Sequence, residues 1–454
     1  MDTHTQRISG LLEKIRMENE KVGAFIEIYG EEALAKANAL DAKATSGKKP
    51  GRLAGKIIAI KNNIAYRGKR LTCGSKMLAN YLAPYDAAVV ERVEAEDGII
   101  IGSTNLDEFA CGSDTTSSAI MRTRNPLDLD CVPGGSSGGS AASVAAGFAD
   151  MALGSDTGGS IRCPAAFCGV VGMKPTYGLV SRYGLADMAM SLDQIGPLAK
   201  CVADVKLILS VIGGSDERDQ TTASSPKSVD LGFEGKPSIA VAREFLEGAD
   251  ERIAGCFHSL VGKLKDDGYV ISEISIPELR HAIPIYYLTV FAEFSSAMQK
   301  YDGLRYGKMD RELDSLVEGV SELRGDKFGL EVKRRILLGT FITTKEYQDA
   351  WYGKTLKARA VLKNAMESAL SKHGLLLGPT MGVLPWKIGE KMTNPLEMYL
   401  TDMLTVPANL AGIPAGSVPF GKAGRFRPGM QVLGSRFSDA KVLALMEEIE
   451  RLDR

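Results

Sequence analysis

The sequence carries almost no net charge: 55 Lys+Arg stand against 56 Asp+Glu, a formal −1. That argues against a chain that grips nucleic acid by itself, since phosphate binding rests on clustered cations. Histidine is scarce. His4, His258, His281 and His373 are the only four, and none falls in HExxH or another ligand spacing. The seven cysteines, at 73, 111, 131, 163, 168, 201 and 256, form no CxxC pair. Metal catalysis is therefore not expected, and a Ser-His-Asp triad has few bases to draw on. His4 falls near an end expected to fray, and His258 and His373 fall in amphipathic helical stretches. An odd number of unpaired cysteines reads as free thiols in a reducing compartment. Long apolar runs are missing too. The charged first residues hold no signal-peptide core, and the uncharged stretches 131–149 and 403–421 are small-residue-rich or broken by Pro407, Pro414 and Pro419. The expectation is a soluble, cytoplasmic protein. Nor is there an internal repeat or a phosphate-binding GxxxxGK[ST] loop; GRLAGK at 51–56 comes nearest, but Ile57 follows it.

What is there is an ordinary globular balance, 44% hydrophobic and 24% charged, which excludes a disordered or fibrous chain. Glycine is in excess, with 49 in 454 residues, about 11% against the usual ~7%. Residues 6–19 read as a helix, 22–29 as a strand or continuation, and 30–49 as helical by composition. The β-branched run KIIAIKNNI at 56–64 predicts a buried strand ending at Lys61. A helix over 86–97 with Asp86 as its cap leads into an apolar strand at 98–102. This alternation favours an α/β fold with a mostly parallel sheet. Residues 131–196 concentrate glycine and serine but carry apolar inserts, so they read as folded backbone rather than a linker. A helix at 202–212 should end at Gly213-Gly214, and 215–236 is a polar surface excursion. Strand, helix and strand follow at 238–242, 250–266 and 269–276. A mainly helical section at 278–372, a strand at 374–378 and a last helix at 438–452 complete the chain. The expected organisation is one domain over 1–454, with a helical amino-terminal segment at 1–50.

Two glycine/serine loops stand out, PGGSSGGS at 133–140 and GSDTGGSIR at 154–162. Consecutive glycines can turn several N–H groups into one concavity, which suits a bound phosphate or a developing oxyanion. The GxSxG match at 134–138 is cheap in so glycine-rich a loop, and no placed histidine supports it. Lysine remains as a base. It serves only where burial favours its neutral form, and Lys61, at the end of an apolar strand before Asn62 and Asn63, has that context. Considered alone, a strand-end lysine is more simply a solvated one. A second Ser/Lys match, SxxK at 224–227, lies in the polar excursion without SDN or KTG partners and reads as linker.

The run from 134 to 178, GGSSGGSAASVAAGFADMALGSDTGGSIRCPAAFCGVVGMKPTYG, resembles the core of the amidase signature family, and KNN at 61–63 lies at the matching distance upstream. The resemblance implies an α/β fold built on a large mixed, twisted sheet covered by helices on both faces. It implies amide hydrolysis by a Ser–cis-Ser–Lys triad, with Ser160 as nucleophile, Ser136 as the bridging serine after a cis peptide bond, and Lys61 as base. Backbone N–H groups around Thr157, Gly158, Gly159 and Ser160 map to the oxyanion hole, and Asp156 with Arg162 to a supporting ion pair. The family usually has Lys-Asp-Asn where this chain has Lys61-Asn62-Asn63.

Outside the core, NLDEFACGS (105–113), YDGLRYG (301–307), KRRILLGTF (333–341) and YLTDMLTVPANLAGIPAGSVP (399–419) are similar to the A-subunit branch of that family. This is the branch of the glutamyl-tRNA(Gln)/aspartyl-tRNA(Asn) amidotransferases. That resemblance implies a glutaminase whose Arg335 holds the α-carboxylate of glutamine and whose Asp402 holds the α-amino group, with Tyr286 beside them. It further implies B and C subunits in a heterotrimer, ATP and Mg at the partner rather than here, and misacylated tRNA contacted mainly through the partner. Without the resemblance, Arg335 reads as a helix-surface residue and Asp402 as a cap or exposed acid. The other readings are a stand-alone amidase on small aliphatic or aryl amides, for which a zwitterion clamp is useless, and an idle or phosphate-binding scaffold.

Overall fold

Among the described residues, eleven strands form one sheet in the order β1-β3-β2-β4-β6-β5-β10-β11-β9-β7-β8. The computed structural model describes residues 3–223, 230–309, 315–390 and 395–454. The strands are β1 (Phe25–Ile28), β2 (Ile57–Lys61), β3 (Ile99–Thr104), β4 (Met151–Asp156), β5 (Val171–Lys174), β6 (Gln194–Ala199), β7 (Ile239–Ala242), β8 (Ile271–Ile274), β9 (Leu375–Pro379), β10 (Ala415–Pro419) and β11 (Gly429–Gly434). The helices of the first half are α1 (His4–Val22), α2 (Gly30–Thr45), α3 (Ala88–Ala95), α4 (Gly138–Ala145), α5 (Arg162–Cys168) and α6 (Val202–Ile212). Those of the second are α7 (Glu251–Asp266), α8 (Ala282–Ala297), α9 (Leu316–Lys327), α10 (Leu330–Ile342), α11 (Lys354–His373), α12 (Pro395–Leu400), α13 (Val406–Ala411) and α14 (Asp439–Leu452).

The period of two along each strand sorts the core onto both faces. Ile58 and Ile60 of β2 pack with α3, α6, α7 and α14 in a core that runs along one face to Val432 and Leu375. Ile57 and Ala59 point the other way, into a core shared with α1, α2, α4 and α5. The remainder of that second face, Ala240, Leu376, Ala415 and Leu433, packs against α8, α10, α11 and α13.

The sheet is mixed rather than mostly parallel. Among the described residues, β2–β3, β2–β4, β7–β8 and β7–β9 are parallel, and the other six pairings are antiparallel. Strand–helix–strand alternation implies a parallel return only where the helix is long enough to cross back over the sheet. β5 runs into β6 through residues 175–193 without a helix, and β10 turns directly into β11, so these strands reverse, whereas α5 carries β4 to β5 in the same direction with β6 between them. Other expectations also shift. Asp86 does not cap α3, whose N-cap is Ala87; its carboxylate accepts the Arg67 N–H instead. Thr3 and Gln6 form a capping box, so His4 starts an ordered helix rather than a frayed end. The helix expected over 30–49 stops at Thr45, and the strand over 269–276 shortens to Ile271–Ile274. The SxxK match at 224–227 lies outside the described residues.

Helix α10 packs tightly on α8 because residue 339 is glycine: a Cβ there would run into the carbonyl oxygen of Phe291. Gly339→Ala should therefore prise α10 from α8 and destabilise the protein by about 1–3 kcal/mol, read as a lower urea midpoint.

Candidate active site

Strands β2 and β4 are parallel neighbours, so their carboxyl ends, Lys61 and Asp156, reach the same edge of the sheet. The side chain of Lys61 is fully buried. Its Nζ donates to Ser136 Oγ at 2.7 Å and to Ser155 Oγ at 2.8 Å. Burial strips the ammonium of water and lowers its pKa from 10.5 to about 7, although the carboxylates of Asp107, Asp156 and Asp193 pull the other way. Asn63 donates to the same Ser155 hydroxyl at 3.0 Å. Asn62 does not face the lysine. Its amide donates to Arg70 O and Ser103 Oγ and accepts the Thr72 N–H, which fixes the 62–72 loop. The departure from Lys-Asp-Asn thus falls on a side chain with no hydrogen bond to Lys61.

The Gly135–Ser136 peptide bond is cis. Ser160 sits at the head of the loop that leaves β4, partly exposed, and its carbonyl accepts the Ser137 N–H at 3.1 Å. This bond ties the two glycine/serine loops together. Lys61 and Ser136 are hydrogen-bonded, whereas Ser136 Oγ and Ser160 Oγ are not bonded to each other.

Of the four residues mapped to the oxyanion hole, Gly159 is spoken for: its N–H donates to Asp156 Oδ1 at 2.8 Å. Its φ of 136° and its closeness to Thr405, which a Cβ would strike, leave room only for glycine. The N–H groups of Thr157, Gly158 and Ser160 have no acceptor among the described residues, so they are the donors left for an oxyanion. Thr157 also contributes through its hydroxyl, which donates to Asp193 Oδ1 at 2.6 Å and moors the loop.

Asp156 and Arg162 form a fully buried ion pair at 3.0 Å. Burial alone would raise the Asp156 pKa, but Arg162 overrides it and holds the carboxyl well below its ordinary value. The guanidinium also reaches Thr405 O, Gln431 Oε1 and Asn409 Oδ1. The nucleophile loop is thereby riveted to α13 and β11.

The residues expected to clamp an amino acid come together next to that loop. Asp402 is buried and accepts from Ser113 Oγ at 3.0 Å and from Tyr287 OH at 2.7 Å. Burial raises its pKa to about 6. Arg335 is no surface residue: it is 2% exposed, its Nε donates to Glu331 Oε1 at 2.9 Å, and its Nη1 has no partner. Its guanidinium lies over the Tyr287 ring, 5.7 Å from the centroid. Tyr286 is turned to the nucleophile loop, where its hydroxyl abuts Gly158. Thr405 joins the two regions, its single hydroxyl proton lying within reach of both Gly158 O, at 2.5 Å, and Asp402 O, at 3.0 Å. Sequence reasoning missed Ser113, Ser155, Tyr287, Glu331 and Tyr399. Only Glu331 left a readable trace, as an acid four residues before Arg335 on one helix. All seven cysteines are free. Replacing Arg162 with Met should strand the Asp156 charge in the interior and cost about 3–5 kcal/mol of stability, measured by urea unfolding.

A family model described as Amidase matches residues 7–443. The chain is 46% identical over 444 residues to the glutamyl-tRNA(Gln) amidotransferase A-subunit of Carboxydothermus hydrogenoformans, covering 97% of this chain and 92% of that one. It is 45% identical over 451 residues to the same-named protein of Methanothermobacter thermautotrophicus, covering 99% and 96%. Among solved structures, the glutamyl-tRNA(Gln) amidotransferase A-subunit of Thermotoga maritima superposes with a TM-score of 0.80 at 39% identity, covering 97% of this chain and 90% of that one. With a family model and full-length relatives that agree, the chain belongs to the amidase signature family.

Proposed function

We propose that the chain is the glutamine-hydrolysing component of a tRNA-dependent amidotransferase, supplying ammonia for the amidation of Glu-tRNA(Gln) or Asp-tRNA(Asn). The observation that carries the reading is the buried pair Asp402 and Arg335 beside the Gly158–Ser160 loop, with Arg335 Nη1 unpartnered. A guanidinium edge suits an α-carboxylate and an acid suits an α-ammonium, whereas a simple aliphatic or aryl amide offers neither. The full-length relatives, named as amidotransferase A-subunits, support the same reading.

In this scheme Lys61 acts as the base, through Ser136. Neutral Lys61 takes the Ser136 proton as Ser136 takes that of Ser160, and Ser160 Oγ bonds to the carboxamide carbon. The Ser160 hydroxyl turns toward Ser136 in the bound complex, where catalytic hydrogen bonds commonly tighten. The unbonded N–H groups of the 157–160 loop receive the oxyanion, usually the largest single contribution in acyl transfer. The proton then passes back to the amide nitrogen, the C–N bond breaks, and ammonia leaves a glutamyl ester on Ser160. Water, deprotonated along the same route, releases glutamate and restores the serine. The partners in this reading are the B and C subunits of a cytoplasmic heterotrimer, with ATP, Mg and most tRNA contacts at the partner. Among the described residues, no helix is long and apolar enough to cross a membrane.

Brief exposure to glutamine followed by acid quench should leave a glutamyl ester on the Ser160 peptide by mass spectrometry, and none in Ser160→Ala. An unmodified wild-type peptide under turnover would overturn the nucleophile assignment. Because the neutral amine is the competent form, protonation removes it: kcat should fall about tenfold per pH unit below a bend near 7. A kcat flat across that range would remove Lys61 as base.

A further inference from the structure

Arg335 and Asp402 carry opposite charges in one buried region and both touch Tyr287, yet they form no ion pair with each other. Two such groups left to themselves would collapse together, since burial strengthens their attraction and nothing else there offsets the cost of desolvation. Something therefore holds them apart. For Asp402 the restraint is the pair of hydroxyls of Ser113 and Tyr287. For Arg335 it is Glu331, one turn earlier on α10.

Glu331 is placed for that task. Its Oε1 accepts both Arg335 Nε and the Tyr399 hydroxyl, at 2.9 Å and 2.8 Å, and its Oε2 is taken by Arg334. Tyr399 in turn stacks on Tyr287, with ring centroids 4.0 Å apart. The result is a chain of contacts, Arg335–Glu331–Tyr399–Tyr287–Asp402, that fixes the spacing between the two charged ends. With Nε occupied by Glu331, the edge of Arg335 left for a ligand is the one formed by Nη1 and Nη2, of which Nη1 is fully buried without a partner.

The geometry assigns Glu331 as the positioning residue that keeps the Arg335–Asp402 clamp open and presents the Nη edge of Arg335, end-on, to the α-carboxylate of the substrate. This rests on the glutaminase reading above and deepens it: Glu331 touches no reacting atom and sets affinity for an α-amino acid through Arg335. Its removal frees the guanidinium to turn onto Asp402, so that the clamp fills itself and glutamine must compete with an internal ion pair.

The test is steady-state ammonia release from glutamine by the full chain, with any protein partners that co-purify, for wild type, Glu331→Gln and Tyr399→Phe. Glu331→Gln should raise the KM for glutamine roughly tenfold while kcat stays within about twofold. Tyr399→Phe, which cuts only the hydroxyl bond to Glu331, should shift KM the same way by a smaller factor. Butanamide, which carries neither α-group, should be hydrolysed by the variants and by wild type with the same kcat/KM. An unchanged KM, a fall in kcat alone, or an equal loss on butanamide overturns the inference. If Glu331→Gln does not fold, Tyr399→Phe decides by the same criteria. A wild type that releases no ammonia from glutamine would overturn the functional reading itself, whereas an active wild type with an insensitive Glu331→Gln overturns only this inference.

Discussion

A lysine amine with no water around it is the constraint on which the site is built. Lys61 ends a strand flanked on both sides by parallel neighbours, so its side chain has no route to solvent. Its head can stay there only if hydroxyls replace the lost water, and Ser136 and Ser155 do so. Desolvation moves the amine to the boundary between charged and neutral near physiological pH, where a base is useful. The same requirement explains why serine recurs at these positions. An apolar residue would leave the ammonium unpaired, and a carboxylate in hydrogen-bond contact would favour the charged, non-basic form.

A second buried charge holds the frame around the first. Arg162 stands just after the nucleophile loop and spends its donors on Asp156, Thr405, Asn409 and Gln431. Those partners come from β4, α13 and β11 and from the segment carrying Asp402. One guanidinium thus fixes the loop with Ser160 relative to the elements that carry the amino-acid clamp. Asp156 in turn draws the Gly159 N–H onto itself, leaving the N–H groups of Thr157, Gly158 and Ser160 unbonded. The specificity region and the chemical region are therefore one rigid object, joined again by Thr405.

Six of the strands and the helices around them were readable because their signals are local, whereas β4, β5, β6, β10 and β11, in glycine-, serine- or proline-interrupted runs, were not. The apolar run ending at Lys61, the helix closed by Gly213 and the helix at 250–266 follow from side-chain pattern and turn chemistry. Strand direction was not, since hydrophobic pattern is the same in parallel and antiparallel strands, and β5 reverses into β6 through a helix-free stretch that carries no local signal of direction. The site divides in the same way. Lys61 and the two glycine/serine loops stood out as sequence, while Ser155, Tyr287 and Tyr399 did not, each an ordinary residue until folding places it. Tyr286 and Tyr287 show the limit: adjacent on α8, they point to different neighbours, one to Gly158 and the other to Asp402.

By itself, then, the sequence determined which segments fold, that a lysine ends a buried strand, and that two runs of glycine and serine can approach something closely. These are matters of residue type and near-neighbour spacing, written in the order of the chain. Only the tertiary structure decided that Lys61 meets Ser136 and Ser155, that Gly159 turns inward to Asp156, and that Arg335 and Asp402 are buried and kept apart. Those outcomes depend on burial and on contacts between residues up to a few hundred positions apart, and neither quantity exists until the sheet has closed over them.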